Sequence, residues 1–226
     1  MSAGVEYSVP EYPKIYSPWK RHTAGEKRNQ LAVRSWSSDA LQHLADNEFW
    51  WTEKIDGTNI RVHWNGHTVT ILGRTANAQL HPDLLKTLQT MFPEELLEDT
   101  WKDKTVTLFG EGYGAGIQKG GHYRPDKSFI LFDVYTNYWA SPGSVVAIGD
   151  TMGVEVVPAA GVGTIADACR WVLEDASNWE GAPLEGFVGV PMGGYLDRFG
   201  GRIAVKVKKK DMEPISDDIY EIYELC

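Results

Sequence analysis

The residues best equipped for chemistry in this chain are lysines and carboxylates set at the ends of apolar runs. Lys54 follows Phe49-Trp50-Trp51-Thr52-Glu53 and opens the string Lys54-Ile55-Asp56-Gly57-Thr58-Asn59. Glu111 ends Thr105-Val106-Thr107-Leu108-Phe109-Gly110, Asp133 follows Phe129-Ile130-Leu131-Phe132, and Glu185 opens Glu185-Gly186-Phe187-Val188-Gly189. Lys206 and Lys208 alternate with Val205 and Val207. In a strand, positions two apart share a face, so both lysines point into one site while the valines face the core. A deprotonated amine is a nucleophile. Asp56, Glu111 and Glu185 offer hard oxygens to Mg²⁺ or its water shell. The plain alternative for the Lys54 string is a strand that ends in an Asp-Gly turn beside a surface lysine. By average residue usage its four fixed positions recur by chance in roughly one chain of this length in several hundred. The companions along the chain therefore decide its meaning.

The elements that must position these groups follow from periodicity. Residues 49–53 read as a buried strand. Ile60, Val62 and Trp64 alternate with Arg61 and His63 as in a half-buried strand. Asn65-Gly66 is a two-residue hairpin signal, 68–72 form the return strand, and His63 and His67 beside the turn are expected to face solvent. Residues 82–91 read as a helix with Leu84, Leu85, Leu88 and Met91 on one face. Residues 105–111 and 128–135 read as two more strands, separated by a glycine-rich loop, 112–124, whose expected use is mobility. Thr164 can cap a helix whose inner face is Ile165, Ala168, Cys169 and Val172, which makes Cys169 a core residue. Ser38-Asp39 can cap a short helix carrying Leu41 and Leu44. Residues 185–190 and 202–208 complete the strands. Residues 1–30 read as an irregular arm. Without regular βαβ alternation, the pattern predicts an α+β fold of mainly antiparallel sheets flanked by helices.

These segments, in this order, resemble the motifs of the covalent nucleotidyltransferases, the superfamily of nucleic-acid ligases and mRNA capping enzymes. The resemblance runs from about Trp51 to Lys210. It is nearest to the ATP-dependent RNA ligases of the phage RNA-repair and RNA-editing type, where a Glu-Lys pair precedes Asp-Gly-x-Asn, as Glu53-Lys54 does here. An arginine about twenty residues past the nucleophile is matched by Arg74. The resemblance implies an ATP-grasp-like ligase core and a lysyl-AMP intermediate at Lys54. AMP would pass to a 5′-phosphate end, and a 3′-hydroxyl would then seal it. It further implies that Phe132 stacks on adenine, Glu53 serves the base edge, Glu111 the ribose hydroxyls, Asn59 the phosphate, and Arg74 the RNA 3′ end. Lys206 and Lys208 would grip the triphosphate. ATP and Mg²⁺, or Mn²⁺, are the implied cofactors. In-line displacement at phosphorus asks mostly for positioning and charge neutralisation, which these residue types supply. Asp133 neighbours the set, and its role stays open between site residue and structural carboxylate. A DNA ligase core, a GTP-dependent capping guanylyltransferase core and a non-catalytic nucleotide- or RNA-end-binding module are the alternatives.

Composition bounds the reading. The chain has 226 residues, a formal net charge of −9, 42% hydrophobic residues and two cysteines, Cys169 and Cys226. Two cysteines make no disulfide framework, so a reducing, cytoplasmic setting is expected, or a host cytoplasm for a viral protein. No segment reads as a membrane span. The acidic balance argues against whole-surface attraction to nucleic acid, though not against a local basic groove. Cations do cluster: Lys14, Lys20, Arg21, Lys27, Arg28 and Arg34 precede the nucleophile, and Arg202 to Lys210 follow without an acid. Most DNA ligases and capping enzymes carry an oligonucleotide-binding barrel after the lysine pair. Here residues 211–226 allow one short helix, with Ser216 as cap and Ile219, Ile222, Tyr223 and Leu225 as its stripe. The expectation is a single adenylyltransferase domain over 1–226 without that barrel. Its nucleic-acid partner would be RNA ends or a nicked duplex. A partner protein or a second copy would supply what a further domain supplies elsewhere.

Overall fold

The strands are β1 (Trp19–Arg21), β2 (Leu31–Trp36), β3 (Phe49–Glu53), β4 (Thr58–Trp64), β5 (Val69–Gly73), β6 (Val106–Tyr113), β7 (Ser128–Tyr135), β8 (Ala159–Gly163), β9 (Gly186–Pro191) and β10 (Val205–Lys208). The helices are α1 (Asp39–His43), α2 (Pro82–Met91), α3 (Glu94–Trp101), α4 (Pro142–Met152), α5 (Ile165–Leu173), α6 (Lys209–Met212) and α7 (Ser216–Glu224). This computed structural model describes residues 9–75, 77–175, 177, 179 and 181–224, without the side chains of 222–224. Two compact units divide the chain. One holds residues 1–13 and 57–156, the other 14–56 and 157–226, so the division falls between Asp56 and Gly57, inside the lysine string.

The first unit is built on an antiparallel sheet of order β5-β4-β6-β7. Ile60, Val62 and Trp64 meet Leu84, Leu88, Phe92 and Leu97 of the α2–α3 region in a dry core. The other face of β4 differs from the alternating pattern. Arg61 and His63 are 1% and 5% exposed, because that face is covered as well. The Arg61 guanidinium donates to the carbonyls of Gly73, Val9 and Pro10 at 2.8, 3.2 and 3.0 Å. His63 Nδ1 shares a 2.9 Å hydrogen bond with Thr107 Oγ1 across β4–β6. The arm thus takes up Arg61 on a face that alternation alone assigns to water, and His67 alone of the two turn-flanking histidines is exposed.

The glycine-rich loop is anchored. Tyr113 Oη donates to Glu155 at 2.6 Å, Arg124 pairs with Asp126 at 2.8 Å, and Ile117 is buried. Burial, then the hydrogen bond to Glu155, pushes the Tyr113 phenol up to about 12, so it remains a donor. The glycines serve close packing: a Cβ on Gly120 would run into the Gly114 backbone.

The second unit has an antiparallel sheet of order β10-β9-β3-β8. Phe49, Trp51, Phe187, Val205 and Val207 face α5 and the C-terminal helices, meeting Ile165, Cys169, Val172, Met212 and Ile219. Gly189 sits under the Trp51 ring, where a Cβ would approach ring carbons to 2.7 Å. α5 starts in a capping box, Thr164 accepting from Asp167 N–H while the Asp167 carboxylate takes Thr164 N–H. Burial pushes the Cys169 thiol up, which keeps it an inert core group. Residues 14–30 are not wholly irregular, because β1 pairs with β2 and buries Trp19 against Trp36. Ser216 is helical, at φ −57° and ψ −42°, because the 3₁₀ turn Glu213–Ile215 runs straight into α7 and leaves it no capping position. Of the expected stripe, Ile219 is buried; the Ile222 and Tyr223 side chains, Leu225 and Cys226 lie outside the described residues.

Candidate active site

In the second unit, three separated segments meet through one carboxylate. β3 is a central strand whose aromatic side chains, Phe49 and Trp51, are fully buried, which fixes where its last residues emerge. The Lys54 N–H still pairs with Gly186 O at 2.9 Å, so the nucleophile candidate leaves the sheet at the root of β9. Lys54 Nζ donates to Glu185 Oε2 at 2.7 Å, and Lys208 Nζ donates to Glu185 Oε1 at 2.5 Å. Register explains the meeting: Lys208 lies opposite Gly186, and Lys206 opposite Val188, which in turn lies opposite Thr52. Lys206 and Lys208 therefore share the sheet face away from the core, as their alternation with buried Val205 and Val207 predicts. The trio is sheltered but not sealed, with side chains 24%, 18% and 19% exposed for Lys54, Glu185 and Lys208.

Two residues flanking Lys54 take different positions. Glu53 lies on the core face opposite Phe187 and is 2% exposed, its carboxylate accepting from Ser177 Oγ at 2.9 Å. Asp56 is half-buried and is the last residue of the string in this unit. Ser177 carried no signal in the sequence, since a lone serine after a helix is common in turns.

The first unit holds the remaining candidates. Gly57 is required by close approach, as an added Cβ would strike the Gly112 carbonyl and Glu111 Cγ. Asn59 lies opposite Glu111 on neighbouring strands, and its buried Oδ1 has no hydrogen-bond partner among the described residues. Phe132 sits at a β-bulge: Phe109 pairs with Asp133 and Gly110 with Leu131, leaving Phe132 as the extra residue. A bulge re-aims its side chain, and Phe132 is half-buried between two buried neighbours. Asp133 is 1% exposed and accepts from Tyr12 Oη at 2.9 Å and from Val134 N–H at 3.0 Å, so it is a structural hydrogen-bonding carboxylate. The Tyr12 ring stands edge-on to Phe132 with centroids 5.0 Å apart. Arg74, just past β5, is exposed. Tyr12 was invisible in the sequence because nothing local says that an arm residue meets a strand more than a hundred positions away.

No group of three or more His, Cys, Asp or Glu side chains able to hold a metal is gathered among the described residues. Mg²⁺ asks for less, since it keeps several waters and takes one or two carboxylates plus substrate phosphates. Half-buried Asp56 in the second unit is a hard oxygen donor of that kind, and in the first unit half-buried Glu111 and the Asn59 amide oxygen are others. Two lysines share one carboxylate and a third lies on the same sheet face, cations of the kind that bind polyphosphate.

Residues 47–208, from just ahead of β3 to the end of β10, match the family model described as RNA ligase. No curated protein matches the chain. Among solved structures, Naegleria gruberi RNA ligase with PPi aligns at a TM-score of 0.60 and 18% identity, covering 91% of this chain and 64% of that one. A mutant of the same ligase with ATP and Mn aligns at 0.60 and 17%, covering 76% and 53%. Another, with AMP and Mn, aligns at 0.57 and 18%, with the same coverage. At such identities the likeness speaks for the fold, a mixed α/β architecture of antiparallel sheets flanked by helices. The chain spans 53–64% of the length of these matched structures. The family model takes in well over half of the chain, and with the ordered motifs it fixes the assignment: this chain belongs to the RNA ligase family.

Proposed function

We propose that the chain is an ATP-dependent RNA ligase that works through a lysyl-AMP intermediate at Lys54. The observation that carries this reading is the Lys54–Glu185–Lys208 cluster, in which the string, the Glu-Gly segment and the lysine pair converge. In the first step Lys54 Nζ attacks the α-phosphorus of ATP. The N–P bond forms, the bond to the bridging oxygen breaks, and pyrophosphate leaves. The ammonium gives up two protons in becoming the phosphoramidate N–H. In the second, an RNA 5′-phosphate oxygen attacks that phosphorus, and the amine is freed and reprotonated. In the third, a 3′-hydroxyl attacks the 5′-phosphate, AMP leaves, and a phosphodiester forms.

Lys206 and Lys208 bind the leaving phosphates, which are held in line for displacement. When a polyanion arrives, Lys208 exchanges Glu185 for phosphate oxygen, and Glu185 remains to orient Lys54. A divalent cation, Mg²⁺ or Mn²⁺, would supply further charge neutralisation when bound, with Asp56 and Glu185 of the second unit as the carboxylates to hold it. In the first unit, Phe132 serves adenine, Glu111 the ribose, Asn59 the phosphate and Arg74 the RNA 3′ end; in the second, buried Glu53 serves the base edge. The ligases with ATP, AMP and PPi support the choice of nucleotide and leaving group.

The test is a sealing assay on nicked and single-stranded RNA bearing a 5′-phosphate and a 3′-hydroxyl, with ATP and Mg²⁺. The expected products are a sealed strand and, on the way, an AMP-capped 5′ end. Absence of both, from a protein that binds ATP, would count against the reading. Sealing with GTP but not ATP would redirect it to a different nucleotide.

A further inference from the structure

The first unit carries a sheet edge that the adenylylation chemistry does not use. β5 pairs with β4 on one side and with no strand on the other among the described residues. Asn65 N–H donates to Thr68 O at 3.4 Å and closes the β4–β5 hairpin. Hydrogen-bonded and non-hydrogen-bonded pairs alternate from there. Thr70 and Leu72 therefore turn their backbone groups to β4, and Val69, Ile71 and Gly73 turn theirs outward. Two of the outward groups are occupied: Val69 N–H donates to Glu94 Oε1 at 3.4 Å, and Gly73 O accepts from Arg61 Nε at 2.8 Å. Between them, the Ile71 N–H and C=O have no partner among the described residues.

Sheet edges are commonly guarded against strand addition by a charge, a proline or a bulge. β5 has none of these: it reads Val69-Thr70-Ile71-Leu72-Gly73 and pairs with β4 in unbroken register. Beside it lies an apolar groove of about 430 Å³, lined by Val69 and Ile71 from β5 and by Leu85 and Phe92 from α2 and its end. That volume is in the range of clefts that take ligands. Residues opposite each other on neighbouring strands share a face, so alternate side chains of a strand added to β5 would enter the groove beside Val69 and Ile71. Charge selects the occupant. α3 presents Glu94, Glu95, Glu98 and Asp99, all exposed, and carries no cation. Glu94 itself lines the groove, and Glu98, one turn on, shares its helix face. A nucleic-acid strand is repelled there, and a second copy of this chain, of net charge −9, brings like charge to it. A basic polypeptide is attracted.

We propose that the β5 edge and its groove dock an extended, basic segment of another protein, which adds to the four-stranded sheet as a fifth strand. Its backbone pairs with Ile71, and alternate apolar side chains enter the groove. A lysine or arginine draws Glu94 away from Val69 N–H, which frees that donor for the added strand. The proposal uses no part of the ligase reading.

The test is fluorescence anisotropy with the labelled peptide Lys-Lys-Val-Thr-Val-Thr-Val, together with amide NMR shifts of the full chain. Two control peptides accompany it. One replaces both lysines by glutamates. The other is N-methylated at its valines, which keeps side chains and charge but removes the donors that an added strand needs. The basic peptide should bind and shift the Val69 and Ile71 amides, and the methylated one should bind about tenfold more weakly or worse. Glu94→Lys with Glu98→Lys should reverse the preference, weakening the basic peptide and strengthening the acidic one by about tenfold each. Both positions are exposed, so the melting temperature should stay near the wild-type value. The milder Glu94→Gln with Glu98→Gln should weaken the basic peptide without favouring the acidic one. No binding of the basic peptide to wild type up to about 1 mM would overturn the proposal. So would equal binding of the methylated peptide, which marks charge attraction alone, or amide shifts that leave out Val69 and Ile71. A chain that dimerises with its Ile71 amide already protected from exchange would assign the edge to self-association and also overturn it.

Discussion

Glu185 and Asp133 are both carboxylates of motif-like segments, one just ahead of β9 and one inside β7, and the two units use them in opposite ways. Glu185 is half-buried and holds two lysine ammonium groups, one on each oxygen. Asp133 is closed off from water and holds a tyrosine hydroxyl and a peptide N–H. A carboxylate paired with lysine ammonium groups can be exchanged when an anion competes for them, whereas a buried one that accepts from a tyrosine hydroxyl and a peptide N–H is part of the structure around it. The first arrangement suits a reacting site, and the second suits a scaffold. The comparison predicts that substitutions in the Glu185 cluster cost activity and spare stability, and that those around Asp133 do the reverse.

The sharpest break comes at the nucleophile. Lys54→Ala should reduce AMP transfer to the protein by at least about 10⁴-fold, with no reserve from Lys206 or Lys208. Its thermal midpoint should stay close to wild type, since an ion pair this near the surface contributes only ~0–1 kcal/mol. Glu185→Gln keeps the shape and removes the charge. Adenylylation should fall about a hundred- to a thousandfold in a single-turnover assay, again with the fold intact. Asp133→Ala should show the opposite profile, leaving Tyr12 Oη and Val134 N–H without an acceptor. A loss of about 1–3 kcal/mol is expected, read as a drop of several degrees at ~2–4 °C per kcal/mol.

The smallest effect concerns pH. Burial first, and then the nearby Arg61 charge, hold His63 below its ordinary value. The unfolded chain therefore takes up a proton there before the folded one does. Stability from this site is fully present above the unfolded value near 6.5 and declines as pH falls through and below it. His63→Gln should flatten that decline in urea unfolding between pH 7.5 and pH 5.5. An unchanged slope would show that another group sets it.

Much of this was legible in the sequence. Alternation of Val205 and Val207 with Lys206 and Lys208 fixed which way the lysines point, because a strand has only two faces. The α5 cap and Cys169 burial followed from local pattern for the same kind of reason. What failed to show was every feature set by a distant partner. Arg61 and His63 are buried on the face that alternation assigns to water, because alternation cannot see the arm carbonyls that take up Arg61 or the Thr107 hydroxyl that pairs with His63. The Phe132 bulge depends on the register with β6, which its own strand does not encode. The glycines of 112–124 read as mobility, yet Tyr113, Ile117 and Arg124 anchor that loop from outside the glycine pattern.

The most direct measurement is intact mass after incubation with ATP and Mg²⁺, for wild type, Lys54→Ala and Glu185→Gln. The account predicts a gain of one AMP, roughly 329 Da, in wild type, none in Lys54→Ala and only a slow gain in Glu185→Gln. An adduct of that mass on Lys54→Ala, or none on wild-type protein that binds ATP, would contradict it.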